Sequence, residues 1–342
     1  MAKKPKRGSY LNLEDVRVFY DAKSDTVSLT SGDRDLPEAG GLKIDISPGT
    51  QAERQLRELL KAKDVIRWDP WPKVTREDTF DRIVSSLEER LQLGTNISGE
   101  AVEWDLNPYR NLWIHGATGG GASFLSRAAI QHGFVHGWEV YGIDPRQVEL
   151  TEISQYPVGR TVAKNTEDTL TLLDSLIRLS EERLGFLESQ DALSIRELSE
   201  ELQPRKVLLV IDSVEILLES ASPEGQAKLL TGLERLTWVA GPVGIHVLLS
   251  SKAQPRDLLR ADVDKLKKIQ NICAHIVCGN YYQDQLPEDL RDRYRPNRGR
   301  GMGRAQFVLG GPRLETTEFQ LGLALDQPLE FIEALRAYRR GY

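Results

Sequence analysis

Hydrophobic residues in the second part of the chain gather in short continuous runs instead of alternating with polar residues. Most of these runs are rich in valine, isoleucine and leucine, and each ends in glycine, serine or aspartate. Such runs are typical of strands that are buried on both faces of a sheet. They occupy residues 111–116, 138–144, 206–212, 244–251, 274–279 and 305–310.

Amphipathic stretches with helical spacing of their apolar residues separate these runs, and one more closes the chain. A regular alternation of strands and helices favours an α/β fold with a mostly parallel sheet and helices on both of its faces. The helical stretches are predicted near residues 122–134, 166–188, 193–203, 223–239, 261–270 and 331–340.

The N-terminal part has a different pattern. Apolar and polar residues alternate on both sides of "DAKSD" in residues 15–33, which predicts a β-hairpin. Residues 52–66 and 75–93 have helical spacing, and Thr75 and Gly94 are suited to begin and end the second helix. We therefore predict three parts: a disordered basic tail, a small α+β region and a large α/β domain, at residues 1–9, 10–92 and 93–342.

The stretch "NLWIHGATGGGAS" places a glycine-rich turn between a predicted strand and a predicted helix. This is the context of the phosphate-binding pattern G-x-x-x-x-G-K-[ST], whose backbone N–H groups cradle phosphate oxygens. The serine at its end would ligate Mg²⁺, which makes Ser123 a candidate metal ligand. The candidate nucleotide-binding residues are Gly116, Thr118, Gly119, Gly120, Gly121, Ala122, Ser123 and Phe124.

One position departs from the pattern, because Ala122 stands where the lysine belongs. A charge-assisted hydrogen bond contributes about 1.5–3 kcal/mol, so nucleotide affinity falls by roughly one to two orders of magnitude. Hydrolysis loses more, since a donor that acts on transition-state charge is worth ~10²–10³ in rate. A glycine-rich turn that binds no nucleotide is the alternative interpretation.

Two later strands end in residues suited to the same site. Asp212 ends "KVLLVID", where a carboxylate would hold Mg²⁺, but Ser213 follows it and Glu215 lies beyond reach if the backbone stays extended. "GIHVLLSSKAQP" runs into Ser250, Ser251 and Lys252, and Lys252 is a candidate replacement for the missing cation. An acidic strand cap and a surface lysine are the simpler alternatives.

Composition narrows the function classes. The net charge of −6 excludes a global basic field, so any nucleic-acid contact depends on local patches. One patch is the tail "MAKKPKR", and the other is "RDRYRPNRGRGMGR", from which Arg295, Arg298 and Arg300 are candidate DNA-binding residues. Both patches are also compatible with solvated segments. Cys273 and Cys278 are too few for a disulfide framework and are expected to be buried thiols.

No apolar leader and no run of membrane-spanning length is present in the sequence. We therefore expect a soluble, cytoplasmic protein without membrane contact.

These motifs together resemble the FtsK/SpoIIIE family of DNA translocases, within the FtsK–HerA group of P-loop ATPases. The resemblance extends in order over residues 93–321. It rests on "LGTNISGEAVEWDLNPYRNLWIHGATGGGAS", "YGIDPRQVEL", "LIRLSEERLGFL", "VLLVIDSVEILL", "VGIHVLLSSKAQP", "NICAHIVCG" and "GRGMGRAQF".

The resemblance implies a RecA-like P-loop NTPase domain, ATP and Mg²⁺ as cofactors, and a hexameric ring around double-stranded DNA. It also implies that four family residues are replaced: the Walker A lysine by Ala122, the catalytic glutamate by Ser213, and two arginines by Gly241 and His275. Nucleotide binding then survives in weakened form, while hydrolysis is weak or absent. Compact relatives of this kind occur in phages and other mobile elements.

A second function class stays open. Type VII secretion ATPases resemble the same family and contain degenerate modules that bind substrate peptides, and by that precedent the chain would be a pseudo-ATPase that binds a protein partner. It could also join a mixed ring with an active homologue as a non-hydrolysing subunit. An engineered loss of the lysine is less consistent with the sequence, because Gly120 and Ser213 depart from the family as well.

Overall fold

The computed structural model describes three strands near the N-terminus and most of the chain from residue 76 to the C-terminal helix. The described residues are 9–13, 16–21, 26–31, 76–96, 99–107, 110–116, 119–252, 263–279, 286, 304–308, 316–321 and 328–341. Residues 1–8, the helix predicted at 52–66, Thr118 and the candidate arginines Arg295, Arg298 and Arg300 lie outside them.

Contacts divide the chain into two compact units. The smaller comprises Met1–Pro70 and Asn297–Arg300, and the larger comprises Trp71–Pro296 and Gly301–Tyr342. The smaller unit contains an antiparallel sheet of three strands, β1 (Ser9–Leu13), β2 (Val16–Asp21) and β3 (Thr26–Ser31). Strands β2 and β3 form the predicted hairpin, whereas β1 was not predicted and starts at the last residue of the predicted tail.

The larger unit is built on one ten-stranded sheet. Its strands are β4 (Arg90–Thr95), β5 (Ala101–Asp105), β6 (Asn111–Gly116), β7 (Glu139–Ile143), β8 (Gly159–Ala163), β9 (Val207–Ile211), β10 (Ile245–Ser251), β11 (Cys273–Cys278), β12 (Arg304–Val308) and β13 (Thr316–Leu321). Their order across the sheet is β5-β4-β13-β12-β11-β6-β10-β9-β7-β8.

The part of the sheet from β11 to β8 is entirely parallel, and β12, β13, β4 and β5 extend it by antiparallel pairing. All six apolar runs of the sequence form strands, so the prediction of a mostly parallel α/β sheet is confirmed. Because the parallel strands all end at one edge, the residues that follow β6, β7, β9 and β10 meet there.

Helices cover both faces of this sheet. They are α1 (Arg76–Ser85), α2 (Ala122–Val135), α3 (Thr166–Ser189), α4 (Val214–Ser220), α5 (Pro223–Val239), α6 (Val263–Asn271) and α7 (Pro328–Gly341). Strand side chains alternate between two apolar cores, as in β6, where Leu112 and Ile114 face one core and Trp113 the other. Residues of α1, α2 and α7 join the first core, and residues of α3 to α6 join the second.

The helix predicted over residues 75–93 is wrong in its second half. Helix α1 ends at Ser85, and residues 90–95 form β4 instead. Leu91 and Leu93 are buried in the first apolar core. Pairing with β5 and β13 provides hydrogen bonds for the backbone N–H and carbonyl groups of β4. Lys206, itself buried, fixes the turn before β4 by ion pairs with Glu88 and Glu89 at 2.9 and 2.8 Å.

Helix α1 and β4 belong to the larger unit, which begins at Trp71, whereas the sequence pattern places the start of the α/β domain at residue 93.

The helix predicted at 193–203 is wrong as well, because only a 3₁₀ turn, Ile195–Glu197, forms there. Leu193 is 84% exposed, whereas Ile195 is buried and donates its N–H to the carbonyl of Pro242. The tertiary contact of Ile195 therefore replaces helical hydrogen bonds. Strand β8 and helix α4 were not predicted.

Candidate nucleotide site

The glycine-rich turn lies where the sequence places it, between β6 and α2. Strand β6 is buried along its whole length and ends at Gly116, and α2 begins at Ala122. Gly119 and Gly121 have φ angles of 77° and 103°, in the left-handed region that favours glycine. Gly121 is the N-cap and supplies no side chain to the N–H groups of the first helical turn. The N–H groups of Ala122 and Ser123 are therefore available to an anion, whereas that of Phe124 donates to the carbonyl oxygen of Gly121 at 3.1 Å.

The described part of this turn is packed closely against its neighbours. A Cβ atom on Gly116 would lie 2.6 Å from the Cβ of Ala122, and one on Gly279 would lie 3.0 Å from the Cα of Gly120. Gly116 and Gly279 thus allow the end of β6, the turn and the end of β11 to touch. The turn is preorganised by its neighbours, as a phosphate cradle requires.

Asp212 follows β9 at the same edge of the sheet and is 7% exposed. Its Oδ1 accepts a hydrogen bond from Ser250 Oγ at 2.9 Å, and its Oδ2 accepts one from Ser213 Oγ at 2.9 Å. Ser213 has a φ of 56°, so the chain turns sharply after Asp212 before α4 begins. Both serine hydroxyls are therefore committed to the carboxylate.

Ser123 and Asp212, the two predicted metal ligands, lie together on one crevice. The crevice has room for about one water molecule and also borders Arg127, Glu149 and Tyr156. The structure thus brings the serine of the turn and the strand-end aspartate to one place.

Arg146 is a site residue that the sequence argument passed over. It follows β7, which neighbours β9, and its Nη2 and Nε donate to Asp212 Oδ2 at 2.8 and 3.3 Å. The turn that positions it is closed by Asp144, whose Oδ2 accepts the N–H groups of Glu149 and Leu150 at 3.0 and 2.9 Å. The available signal was a basic residue directly after Asp-Pro in "YGIDPRQVEL".

Glu215 is closer to this edge than an extended backbone would place it. The turn at Ser213 and the start of α4 direct its carboxylate to the end of β10, where Oε1 accepts the N–H of Lys252 at 3.1 Å. Glu215 is 5% exposed, and burial raises its pKa. Its Oε2 has no hydrogen-bond partner among the described residues.

Lys252, the candidate replacement cation, is placed near Glu215 by that backbone hydrogen bond. Within the described ranges its ammonium group makes no hydrogen bond or ion pair, so its catalytic role stays a prediction.

Two buried histidines lie below the turn. His115 Nε2 and His275 Nδ1 are 3.0 Å apart, and His275 Nε2 lies 2.9 Å from the carbonyl oxygen of Gln270. The carbonyl oxygen accepts from His275 Nε2, and one proton lies between His115 Nε2 and His275 Nδ1. Burial, and then the neighbouring His275, lowers the pKa of His115 well below its usual range. His275 thus joins β6 to β11 through its contact with His115.

The donor set fits phosphates better than it fits magnesium. The left-handed glycines and the uncapped start of α2 suit phosphate oxygens. The carboxylate of Asp212, by contrast, already accepts from Arg146, Ser213 and Ser250. In the part of the chain that the structure describes, no group of three histidine, cysteine, aspartate or glutamate residues is arranged to hold a metal ion.

Comparison with known sequences identifies the relatives of this chain. The model of the FtsK/SpoIIIE family matches residues 74–268. The DNA translocase FtsK of Staphylococcus epidermidis is 22% identical over 201 residues, which are 54% of this chain and 25% of that protein. FtsK of Listeria monocytogenes is 26% identical over 191 residues, 50% of this chain and 25% of that protein. The chain spans about a quarter of the length of these curated relatives.

Comparison with solved structures supports the fold. The conjugation coupling protein TcpA, in its monomer form with ATPγS, has a TM-score of 0.62 at 19% identity, over 78% of this chain and 75% of TcpA. The cytoplasmic domain of the type VII secretion ATPase EccC from Thermomonospora curvata has a TM-score of 0.54 at 18% identity, over 81% of this chain and 32% of EccC. The larger unit thus has the P-loop ATPase fold.

Proposed function

The chain belongs to the FtsK/SpoIIIE family, whose model matches more than half of it, and we propose that it is a nucleotide-binding member that acts on double-stranded DNA with weak or absent ATP hydrolysis. Nucleotide binding is carried by the preorganised turn between β6 and α2. Its left-handed glycines and the uncapped helix start offer backbone donors that need no lysine to be in position.

Weak hydrolysis is supported by three neighbouring features. Ala122 supplies no cation for the β- and γ-phosphates, and Ser213 supplies no general base, because its hydroxyl donates to Asp212. Asp212 itself is held by an arginine and two serines. The loss of one transition-state donor costs ~10²–10³ in rate, and a missing base adds to that loss.

The DNA and ring parts of the proposal come from the relatives. The curated relatives are DNA translocases, and the resemblance implies a homo-hexamer, or a mixed ring with an active homologue. Arg295, Arg298 and Arg300 are the residues proposed to contact DNA phosphates. The net charge of −6 makes such a local basic segment necessary for contact with DNA.

A second candidate function is a non-hydrolysing module that holds a protein partner. It is favoured by one observation: the residues at both catalytic positions, Ala122 and Ser213, lack a titratable group. In this case the turn would serve as a structural or regulatory nucleotide site.

The test compares nucleotide binding with turnover. A fluorescent ATP analogue is titrated into the full chain, and ATP hydrolysis is followed with and without double-stranded DNA. Binding with turnover at least about a hundredfold below that of the Ala122→Lys variant with DNA supports the proposal. Absence of nucleotide binding refutes it. Binding without turnover in the native chain and in Ala122→Lys, Ser213→Glu favours the protein-binding module.

A further inference from the structure

The carboxylate that the family resemblance assigns to magnesium is already neutralised by another residue of this chain. Arg146 Nη2 lies 2.8 Å from Asp212 Oδ2, and the Arg146 and Asp212 side chains are 25% and 10% exposed. Nε donates to the same oxygen at 3.3 Å. A fixed positive charge therefore stands beside Asp212 where a divalent cation would approach.

Most of the remaining hydrogen-bonding capacity of this carboxylate is also in use. Two carboxylate oxygens offer about four lone-pair positions. Besides the two N–H groups of Arg146, Oδ2 accepts from Ser213 Oγ and Oδ1 accepts from Ser250 Oγ, both at 2.9 Å. Three donors thus use Oδ2 fully, and one position on Oδ1 is all that remains for Mg²⁺ or for a water molecule of its hydration shell.

The position of Arg146 is reinforced from the other side. Glu149 Oε1 lies 3.9 Å from Nη2, and Asp144 adds favourable charge from within the same turn. Movement of the guanidinium into solvent would remove its charge from Asp212 and Glu149 and would leave Arg127 as the cation that borders their crevice. Neighbouring carboxylates repel one another, so the ion pair of Arg146 with Asp212 is the favoured state of the site.

We propose that Arg146 is an internal substitute for the divalent cation, so that this site takes nucleotide phosphates without magnesium. Among the described residues Arg146 Nη1 has no hydrogen-bond partner, and a guanidinium that binds a carboxylate with one edge can donate to a phosphate oxygen with its other nitrogen. The part that concerns phosphates rests on the proposed function, whereas the part that concerns metal binding does not.

Metal binding tests the proposal directly. Mn²⁺, a paramagnetic stand-in for Mg²⁺, is titrated into the full chain, and free Mn²⁺ is measured by electron paramagnetic resonance. We expect the native chain and Asp212→Asn to bind Mn²⁺ equally weakly. Arg146→Gln is expected to bind at least about tenfold more tightly, and Arg146→Gln with Asp212→Asn is expected to lose that gain.

A matched control breaks a similar ion pair elsewhere. Arg160 Nη2 lies 2.8 Å from Glu139 Oε1, at the opposite edge of the sheet, so Arg160→Gln should bind Mn²⁺ like the native chain. Native Mn²⁺ binding that Asp212→Asn abolishes overturns the proposal, as does a folded Arg146→Gln without the gain. If Arg146→Gln does not fold, the comparison of the native chain with Asp212→Asn decides alone.

Nucleotide affinity provides the second readout. We expect the affinity for a fluorescent ATP analogue to differ by less than about threefold between Mg²⁺ and a chelator. A larger increase with Mg²⁺ overturns metal independence. Absence of nucleotide binding under both conditions refutes the proposed function, and the Mn²⁺ titration then still judges the role of Arg146.

Discussion

Gly116 shows how a single missing side chain sets the geometry of the candidate site. A Cβ at this position would lie 2.6 Å from the Cβ of Ala122, a distance that well-packed atoms do not adopt. The strand end and the helix start can therefore approach closely only if this position is glycine. The same close approach brings the N–H groups of α2 towards the end of the strand.

We expect Gly116→Ala to destabilise the protein by about 1–3 kcal/mol, as overpacking typically does, and to weaken nucleotide binding. Gly185→Ala is the matched control. Gly185 lies inside α3 with no atom within 4 Å of an added Cβ, so alanine there should stabilise by about 0.5–1 kcal/mol. Urea unfolding of both variants measures the difference. Equal stability changes would contradict the packing argument.

At this scale the sequence predicted what depends on local spacing and missed what depends on strand order. The positions of Gly121, Ser123 and Asp212 follow from a contiguous motif and from the end of an apolar run, and the structure places Ser123 and Asp212 on one crevice. The pairing of Arg146 with Asp212 joins residues that are distant in sequence. It arises because β7 neighbours β9, which no local pattern specifies.

Buried histidines connect several elements of the larger unit. His246 Nδ1 of β10 lies 3.0 Å from the carbonyl oxygen of Arg110, and His132 Nε2 of α2 lies 3.0 Å from the carbonyl oxygen of Glu88. Burial lowers the pKa of His246 to about 4 and that of His132 to about 3. In the unfolded chain both would titrate near 6.5.

We therefore expect stability to fall with pH below about 6.5. The folded state keeps these rings neutral while the unfolded state binds protons, so their contribution is complete above the unfolded pKa and is lost towards the folded values. The slope is about 1.4 kcal/mol per pH unit for each histidine. Urea unfolding at pH 7, 6 and 5 measures it. His246→Asn keeps a donor for the Arg110 carbonyl and should reduce the slope of unfolding free energy against pH by about 1.4 kcal/mol per pH unit, the contribution of one proton. An unchanged slope would contradict the assignment.

Element predictions succeeded where burial and local pattern agree. Ser222 is the N-cap of helix α5 and Pro223 is its first residue, and apolar residues recur at helical spacing to its end. The error at residues 75–93 has a physical cause. Charged residues such as Glu88 and Glu89 preserve helical spacing in the sequence, but their ion pairs with Lys206 end the helix and turn the chain into β4.

The whole chain carries a net charge of −6, so its proposed contact with DNA has to come from a local basic segment. We expect the affinity for double-stranded DNA to fall steeply as salt concentration rises. Replacement of Arg295, Arg298 and Arg300 by alanine together should reduce the slope of log affinity against log salt by roughly three, one for each phosphate contact. Fluorescence anisotropy with a DNA duplex measures this slope.

A charge-matched control is available in α7. Alanine at Arg336, Arg339 and Arg340, which are exposed, changes the net charge by the same amount. We expect the slope to stay near the native value in this variant. An equal loss in both triple variants would show that net charge alone governs binding, against the proposed contact.

At the scale of the whole molecule, the parallel part of the sheet was predictable except for β8, whereas in the antiparallel flank only β12 was predicted. Strands β6, β9 and β10 are buried along their whole length, and their sequences are continuous apolar runs that predict a strand. Strands β4 and β13 are partners from distant parts of the chain, and their pairing depends on tertiary contact. In the described residues no helix is long and apolar enough to cross a bilayer.

The pairing of β4 with β13 has a consequence for how the protein is made. Ribosomes add roughly 5–20 residues per second, and about 220 residues separate Thr95 from Thr316, so β4 leaves the ribosome roughly 10 to 45 s before its partner. During that interval the nascent β4–β5 hairpin exposes an open edge, which is a template for pairing with other chains. Synthesis speed and chaperone supply, rather than final stability alone, should therefore govern the yield of native protein.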